Sequence, residues 1–257
     1  MLIAEHVTKT YRNGKSETTA VKNASLSLIP GELTVLVGQS GCGKTTLSRI
    51  LAGIIPPTSG SVLLDGQSVV PPARRKNRRL NAEIQVVLQD AGSALDPHFS
   101  VYRSIAEPIR NLLRLSKAEE KARVTSLMER VRLPSALADR RPGELSGGQL
   151  KRVCIARALA TAPRYLIFDE ATSGLDVLVK ETILDLIREL HRETGAATLM
   201  ITHDMGAALY MADRIAVMLR GEIVENRPYT GDPDVWSIPG PAGSWNRWSP
   251  MPDTDRL

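Results

Sequence analysis

The chain has 257 residues, 42% of them hydrophobic, with a formal net charge of +5. That is enough apolar material for one large domain or two small ones, and the charge suits nucleic acid, an anionic membrane surface or a nucleotide without selecting among them. Two cysteines are too few for a disulfide framework, the four histidines are scattered without zinc-ligand spacing, and no apolar run approaches the ~18–20 residues that span a bilayer. With no signal-peptide design at the start, the chain is expected to be soluble or to reach a membrane through a partner.

The first stretch reads as β structure. "LIAEHV" and "ASLSLI" alternate apolar and polar residues, and Pro30-Gly31 turns into "ELTVLV", a buried strand. A glycine loop follows, then "TTLSRILAGI", which puts Leu47, Ile50, Leu51 and Ile54 on one helical face. "GSVLLDG" is a short strand closed by a turn. "PPARRKNRRL" reads as a solvated loop or short exposed helix rather than a nucleic-acid contact, because no aromatic residue interleaves its charges to stack on bases. "AEIQVVLQD" returns to strand.

From about residue 90 to 158 the pattern turns helical. Ser116 with Glu119 makes a capping box for a helix of about four turns ending near Val131. Pro97, Pro108, Pro134 and Pro142 are expected to break the segment into pieces. Strand–helix alternation resumes at "RYLIFDE". The next helix carries Val179, Ile183, Leu186, Ile187 and Leu190 on one stripe, "ATLMIT" is a strand, "MGAALYMA" a helix, and "RIAVML" with "EIVE" closes the sheet. This alternation implies a mainly parallel sheet with helices on both faces. After Glu225 the chain turns rich in Pro and Gly, and holds all three tryptophans, Trp236, Trp245 and Trp248, with no helix or strand period.

Five motifs carry chemistry. "GQSGCGKT" at 38–45 has the form G-x-x-x-x-G-K-[ST] between a predicted strand and a predicted helix, the context that motif requires. Gly38, Gly41 and Gly43 let backbone N–H groups face phosphates, Lys44 neutralises their oxygens, and Thr45 offers a hydroxyl to Mg²⁺. "YLIFDE" is a strand ending in two acids: beside such a loop Asp169 would face the Mg²⁺ shell and Glu170 the attacking water, while by themselves the acids could equally cap the turn "ATSG". His203 and Gln89 end two further strands, where parallel sheets place their ligands. His203 could reach a terminal phosphate, and Gln89 the Mg²⁺ or water shell. A second anion-binding start lies at Ser146-Gly147-Gly148, opening a basic helix whose N–H groups and dipole favour negative charge. One ATP should need one such loop, so the second asks for an explanation.

The five motifs in this order resemble the ATP-binding subunit of an ATP-binding-cassette transporter, over about residues 1–225. The resemblance rests on Tyr11, the loop 38–45, Gln89, the signature "LSGGQ" at 145–149, "LIFDE" at 166–170, "SGLD" at 173–176 and His203. It implies an α/β fold: a P-loop NTPase (RecA-like) core with a mainly parallel sheet (1–89 and 159–225), an N-terminal antiparallel β subdomain, an inserted α-helical subdomain (90–158), and a tail from 226 to 257. It implies head-to-tail dimers with each ATP between the loop of one subunit and the signature of the other. The nucleotide would be contacted by Tyr11, stacking on adenine, by Gly38, Ser40, Gly41, Cys42, Gly43, Lys44, Thr45 and Thr46, and across the interface by Ser146, Gly147, Gly148, Gln149 and Asp176. Lys44, Gln89, Glu170 and His203 would be catalytic, and Thr45, Gln89 and Asp169 would hold Mg²⁺.

"LQDAGSALDPHFSV" and "RPGELSGGQLKRVCIARALA" look like the ATPases of bacterial peptide and nickel importers, closest to the nickel type. That likeness implies a cytoplasmic position at the inner face of the plasma membrane, with membrane-spanning permease subunits, a second ATPase subunit (identical or related) and, indirectly, a solute-binding protein as partners. A permease helix is expected to dock beside Asp96, His98 and Phe99. Ala91 and Ala171 stand where the group usually has proline, and Leu88 where phenylalanine is common. The tail keeps "PYT" but lacks the cysteine cluster of many peptide-importer relatives, which removes support for an iron–sulfur site. The alternative is a non-transport cassette ATPase acting on nucleic acid or ribosomes, which usually carries two cassettes or a long coiled-coil insertion. The cargo — nickel, another metal, a metal chelate or a short peptide — is left open, because such a subunit does not touch it.

Overall fold

A computed structural model describes residues 1–14, 16–69, 78–231, 237–239 and 245–247. Strands β1 (Leu2–Asn13) and β2 (Ser16–Leu28) form a long antiparallel hairpin, and β3 (Leu33–Val37) is the first strand of the main sheet. Helix α1 (Lys44–Leu51) follows the glycine loop. Strands β4 (Ser59–Leu64) and β5 (Gln67–Ser68), the short helix α2 (Arg78–Glu83) and strand β6 (Ile84–Val87) come next. The helical segment holds α3 (Ala91–Ala94), α4 (Val101–Leu112), α5 (Lys117–Arg130) and α6 (Gly147–Leu159). Then come β7 (Tyr165–Asp169), α7 (Val177–Thr194), β8 (Ala197–Thr202), α8 (Met205–Met211), β9 (Arg214–Leu219) and β10 (Glu222–Pro228). A last antiparallel pair joins β11 (Ser237–Pro239) to β12 (Trp245–Arg247).

Two sheets organise these elements. The antiparallel sheet runs β2-β1-β4-β5, and the main sheet runs β10-β9-β3-β8-β7-β6. In the main sheet β9, β3, β8, β7 and β6 are parallel, and only β10 is antiparallel. The side-chain period of two splits each central strand between two apolar clusters. Leu33, Val35 and Val37 of β3, Leu166 and Phe168 of β7 and Ile215 and Val217 of β9 join residues of α4–α8 on one face. Leu36, Ile167, Leu199 and Ala216 join α1 and the antiparallel sheet on the other. A strand buried on both faces reads as an unbroken apolar run, as "LTVLV" does.

Local chemistry sets the helix limits. The Ser116 hydroxyl accepts from Glu119 N and Glu119 reaches back to Ser116 N, so the expected capping box opens α5, with Val131 as its C-cap. Asp176 caps α7, and Gly195 ends it at φ +62, which glycine adopts without a Cβ penalty. The stripe Ile183, Leu186, Ile187 and Leu190 is buried.

Several expectations are corrected. Helix α1 stops at Leu51, so Ile54 lies outside the buried face and is 57% exposed. Pro108 lies inside α4 rather than breaking it. It sits buried in the helix that also carries Ile105 and Ile109 in the core, where packing offsets the hydrogen bond that proline cannot make. Strand β6 ends at Val87, so Gln89 leaves the sheet two residues earlier than "EIQVVLQ" suggested. In β1 the alternation slips: His6 takes φ +50, the register with β2 shifts between Ala4 and Val7, and Val7 rather than His6 turns inward. At the other end β10 runs past residue 225 to Pro228, and β11 with β12 puts strand pairing into a tail expected to have none. Of the basic stretch, α2 begins at Arg78; its first part lies outside the described residues, as do Trp236 and Trp248.

Candidate active site

The candidate residues gather at the carboxyl ends of the parallel strands. Val37, Thr202, Asp169 and Val87 are neighbours through the pairs Val37–Thr202, Asp169–Ile201 and Val87–Phe168. The glycine loop leaves β3, His203 leaves β8, Glu170 leaves β7, and Gln89 leaves the segment after β6, all at one edge.

Backbone packing shapes the loop. A Cβ on Gly38 would lie 2.3 Å from the Met218 carbonyl oxygen, and one on Gly43 would lie 2.2 Å from that of Ala20, with φ at +113. Gly41 has φ +78 and open space around it. The turn between β9 and β10 holds the loop from below: Gly221 N donates to Cys42 O at 2.9 Å, and Lys22 N to Gly221 O at 2.8 Å. The antiparallel sheet thus braces the loop that opens α1, whose first N–H groups have no intrahelical acceptor. Cys42 is buried, and burial pushes its thiol pKa up despite the neighbouring Lys44.

Lys44 is 4% exposed, and its Nζ donates to Gly38 O at 2.8 Å and Gln39 O at 2.9 Å. Thr45 Oγ1 donates to Asp169 Oδ1 at 3.1 Å, so hydroxyl and carboxylate meet across the gap between α1 and β7. Ser48, fully buried one turn on, donates to Asp169 Oδ2 at 3.3 Å. Burial pushes the Asp169 carboxyl pKa up, against the pull of the Thr45 and Ser48 hydroxyls. Hard oxygen donors at this separation fit Mg²⁺, which keeps waters and takes further oxygens from phosphates instead of a full protein cage. Among the described residues no group of three His, Cys, Asp or Glu could hold a metal by itself. A divalent cation would offset the cost of charging Asp169.

Glu170 adopts φ +47 just beyond the strand, with its N–H donating to Ile201 O at 3.1 Å. Its Oε1 lies 3.5 Å from Nδ1 of His203, whose side chain is 61% exposed. The structure therefore brings Glu170 and His203 together. Gln89 is exposed two residues past β6, the strand next to β7, and its main-chain oxygen takes a bond from Lys151. Tyr11, 43% exposed on β1 with the Lys9 ammonium 5.5 Å from its ring centre, stands opposite Thr18, on the hairpin that carries Ala20.

The second anion-binding start is built separately. Ser146 caps α6, accepting from Gln149 N at 3.3 Å, while Gln149 Oε1 accepts from Ser146 N at 2.9 Å. The cap uses an acceptor lone pair of the hydroxyl and does not consume its proton. Gly147 and Gly148 lie against Leu175 and Val179, on the chain that follows Glu170; a Cβ on Gly148 would come within 2.8 Å of Val179 Cγ1. Asp176 caps α7 in the same place, accepting from Val179 N at 2.9 Å. Two exposed helix starts thus stand side by side, apart from the neighbours of Gly38 and Gly43.

Sequence reasoning missed Ser48, Lys151 and Lys180. Ser48 lies at i+3 from Thr45, a spacing that marks one helix face and could have found it. Lys180 pairs with Asp204, which caps α8 directly after His203, and nothing local signals that link.

The family model described as ABC transporter matches residues 21–173. The nickel import ATP-binding protein NikE of Escherichia coli O157:H7 is 42% identical over 216 residues, covering 84% of this chain and 81% of that protein. The NikE of Shigella boydii serotype 4 is 41% identical over the same shares. Among solved structures, the dimeric post-hydrolysis state of the ATP-binding cassette MJ0796 bound to ADP and Pi superposes with a TM-score of 0.79 at 30% identity, over 89% of this chain and 98% of that one. CbiO1 from Clostridium perfringens, part of the ABC transporter complex cbiONQ, gives 0.77 at 31% identity over 88% of each.

Proposed function

The chain belongs to the ABC transporter family of ATP-binding cassettes, and on that premise we propose that this ATPase powers a bacterial importer of nickel, another metal or metal chelate, or a short peptide. The observation that carries the reading is the gathering of Lys44, Thr45, Asp169, Glu170 and His203 at the carboxyl ends of the parallel strands, with Thr45 on Asp169 and His203 beside Glu170. The importer class is supported by 42% identity to a nickel import ATP-binding protein.

Bound Mg²⁺ supplies charge neutralisation on the phosphate oxygens. Lys44 moves its ammonium from the Gly38 and Gln39 carbonyls onto phosphate oxygens, and the loop amides supply further donors. Thr45, Gln89 and Asp169 would hold the cation's protein side. Glu170 orients water and accepts its proton at a carboxylate oxygen as the water oxygen bonds to the terminal phosphorus and the bond to the bridging oxygen breaks. The His203 imidazole, 3.5 Å from that carboxylate, contacts the terminal phosphate. Tyr11 stacks on the base, and Ser40, Cys42 and Thr46 line the phosphates. Ser146, Gly147, Gly148, Gln149 and Asp176 close over the partner subunit's nucleotide, which gives the second anion site its purpose.

The permease contact is proposed at Asp96, His98 and Phe99. Asp96 and His98 are exposed, and the Phe99 ring, with the Arg103 guanidinium 3.7 Å from its centre, borders a cleft of about 200 Å³ shared with Glu107 and Arg110. Among the described residues no helix is long and apolar enough to cross a membrane; on its likeness to nickel import ATP-binding proteins, this reading places the chain at the cytoplasmic face beside its permease. Purification with the neighbouring permeases and binding protein, reconstitution in vesicles and parallel uptake of ⁶³Ni²⁺ and labelled dipeptides tests the assignment. ATP-dependent uptake of one cargo is expected. ATP hydrolysis with uptake of neither would overturn the importer class but not the ATPase.

A further inference from the structure

One helix carries two loads. The first turn of α6 presents Ser146, Gly147 and Gly148, and its next turns face the segment leaving β6. Lys151 is 3% exposed, and its Nζ donates to Leu88 O at 3.3 Å and to Gln89 O. Cys154 Sγ lies 3.8 Å from Ala91 O, and Arg157 Nη1 donates to Ala94 O at 2.5 Å. Residues 151, 154 and 157 recur every three positions, so they share one helix face. That face meets main-chain oxygens of the segment 88–94.

Lys151 is the costly member. A buried ammonium is expensive unless hydrogen bonds satisfy it. Both of these hydrogen bonds go to neutral carbonyls. A methionine of similar length would fill the space without that cost. The last ladder pair of the edge strand β6 is Val87–Phe168, so Gln89 lies beyond the sheet's hold. Lys151 binds the chain at that point, and the neighbouring Asp90 then caps α3 through Gly92 N at 2.9 Å.

We propose that Lys151 is a positioning residue for Gln89: it ties the main chain at Gln89 to the helix that carries the signature serine and glycines, so that both shift together when nucleotide is gripped. This rests on the nucleotide roles given above to Gln89 and Ser146.

The test compares wild type, Lys151→Met and Lys151→Arg in the full chain. It reads Mg·ATP turnover, KM for ATP, the thermal midpoint, and hydrogen exchange at 38–48, 88–95 and 146–158 with a non-hydrolysable ATP analogue. In wild type the analogue should protect all three segments. In Lys151→Met it should still protect 38–48 and 146–158 but no longer 88–95. The kcat should fall about tenfold to a hundredfold, as small misplacements do, at unchanged KM, and arginine should restore both readouts. Should Lys151→Met not fold, Lys151→Gln, which keeps a donor for one carbonyl, carries the same readouts. Wild-type turnover with joint protection in the apolar variant would overturn the proposal alone. So would a loss matched by the unfolded fraction. A wild-type chain that binds no analogue would overturn the nucleotide reading and this inference with it.

Discussion

At the scale of single residues, the two acids at the end of β7 sit in different environments. Asp169 is buried and bridged to Thr45 and Ser48, whereas Glu170 keeps a partly open carboxylate beside His203. The positive φ of Glu170 does not single it out, since six other non-glycine residues among those described share that sign. Its position beside His203 does. As the proposed general base, Glu170→Gln keeps shape but cannot accept a proton, so turnover should fall by about 10²- to 10⁴-fold. ATP affinity should hold, whereas Lys44→Ala should lose it; equilibrium binding and steady-state assays separate the two. Unchanged turnover in Glu170→Gln would remove the role. Far from the site, the Arg164 guanidinium and then the N-terminal ammonium hold Asp65 down from 3.8 to about 2. A depressed carboxyl contributes stability that is present above the unfolded value and is lost as pH falls through about 2. Urea midpoints of wild type should therefore decline between those values more steeply than those of Asp65→Asn. Parallel curves would show that the pair contributes nothing.

At the scale of elements, burial outweighs helical periodicity in deciding which residues matter. Leu186 is fully buried in the cluster between α7 and the sheet, while Ile54, placed on the α1 face by spacing, is 57% exposed past the helix end. Leu186→Ala should cost roughly 2–5 kcal/mol, the usual range for truncating a packed core leucine. Ile54→Ala should stay within about 0.5 kcal/mol, as exposed substitutions do. Chemical denaturation reads both, and a large Ile54 effect would mean that another surface covers it. The start of α6 follows the same logic. The Ser146 hydroxyl already caps its own helix, a bond whose loss costs roughly 0.5–2 kcal/mol. Any nucleotide role must therefore use the remaining proton.

At the scale of the whole molecule, the two anion-binding starts become one composite site only if a second copy or a related subunit supplies the other half. The Glu170→Gln chain should accumulate as an ATP-held dimer on size-exclusion chromatography. Adding Ser146→Arg should leave it monomeric but ATP-bound, because a bulky side chain would stand at the exposed start of α6. Equal dimerisation of the two would refute the composite site. The C-terminal segment divides at a point the composition did not mark. Pro228 pairs with Arg214, Tyr229 N donates to Asp213 O at 2.8 Å, and Tyr229 packs against the core. A chain ending at residue 231 should keep its melting temperature and ATP turnover, while one ending at Arg227 should melt earlier. Equal loss in both would make the tail part of the folded body.

What the sequence by itself determined is local. The glycine loop, the acid-ended strand, the capping box of α5 and the stripe of α7 each depend on residues within a few positions, where backbone freedom, capping and period act directly. The order of the motifs then carried the family. Tertiary structure alone decided which distant groups meet: Ser48 and Thr45 on Asp169, Ala20 against Gly43, Gly148 against Val179, and Lys151 on the main-chain carbonyls of Leu88 and Gln89. Those contacts follow from strand order and from the path of α6 beneath β6. A sequence window carries no such information, because the free energy of a contact depends on the partner that the fold delivers to it. The strand end placed at Gln89 and the helical face extended to Ile54 failed for that reason: a hydrophobic pattern gives the period of an element, but the ladder and the core decide where it stops.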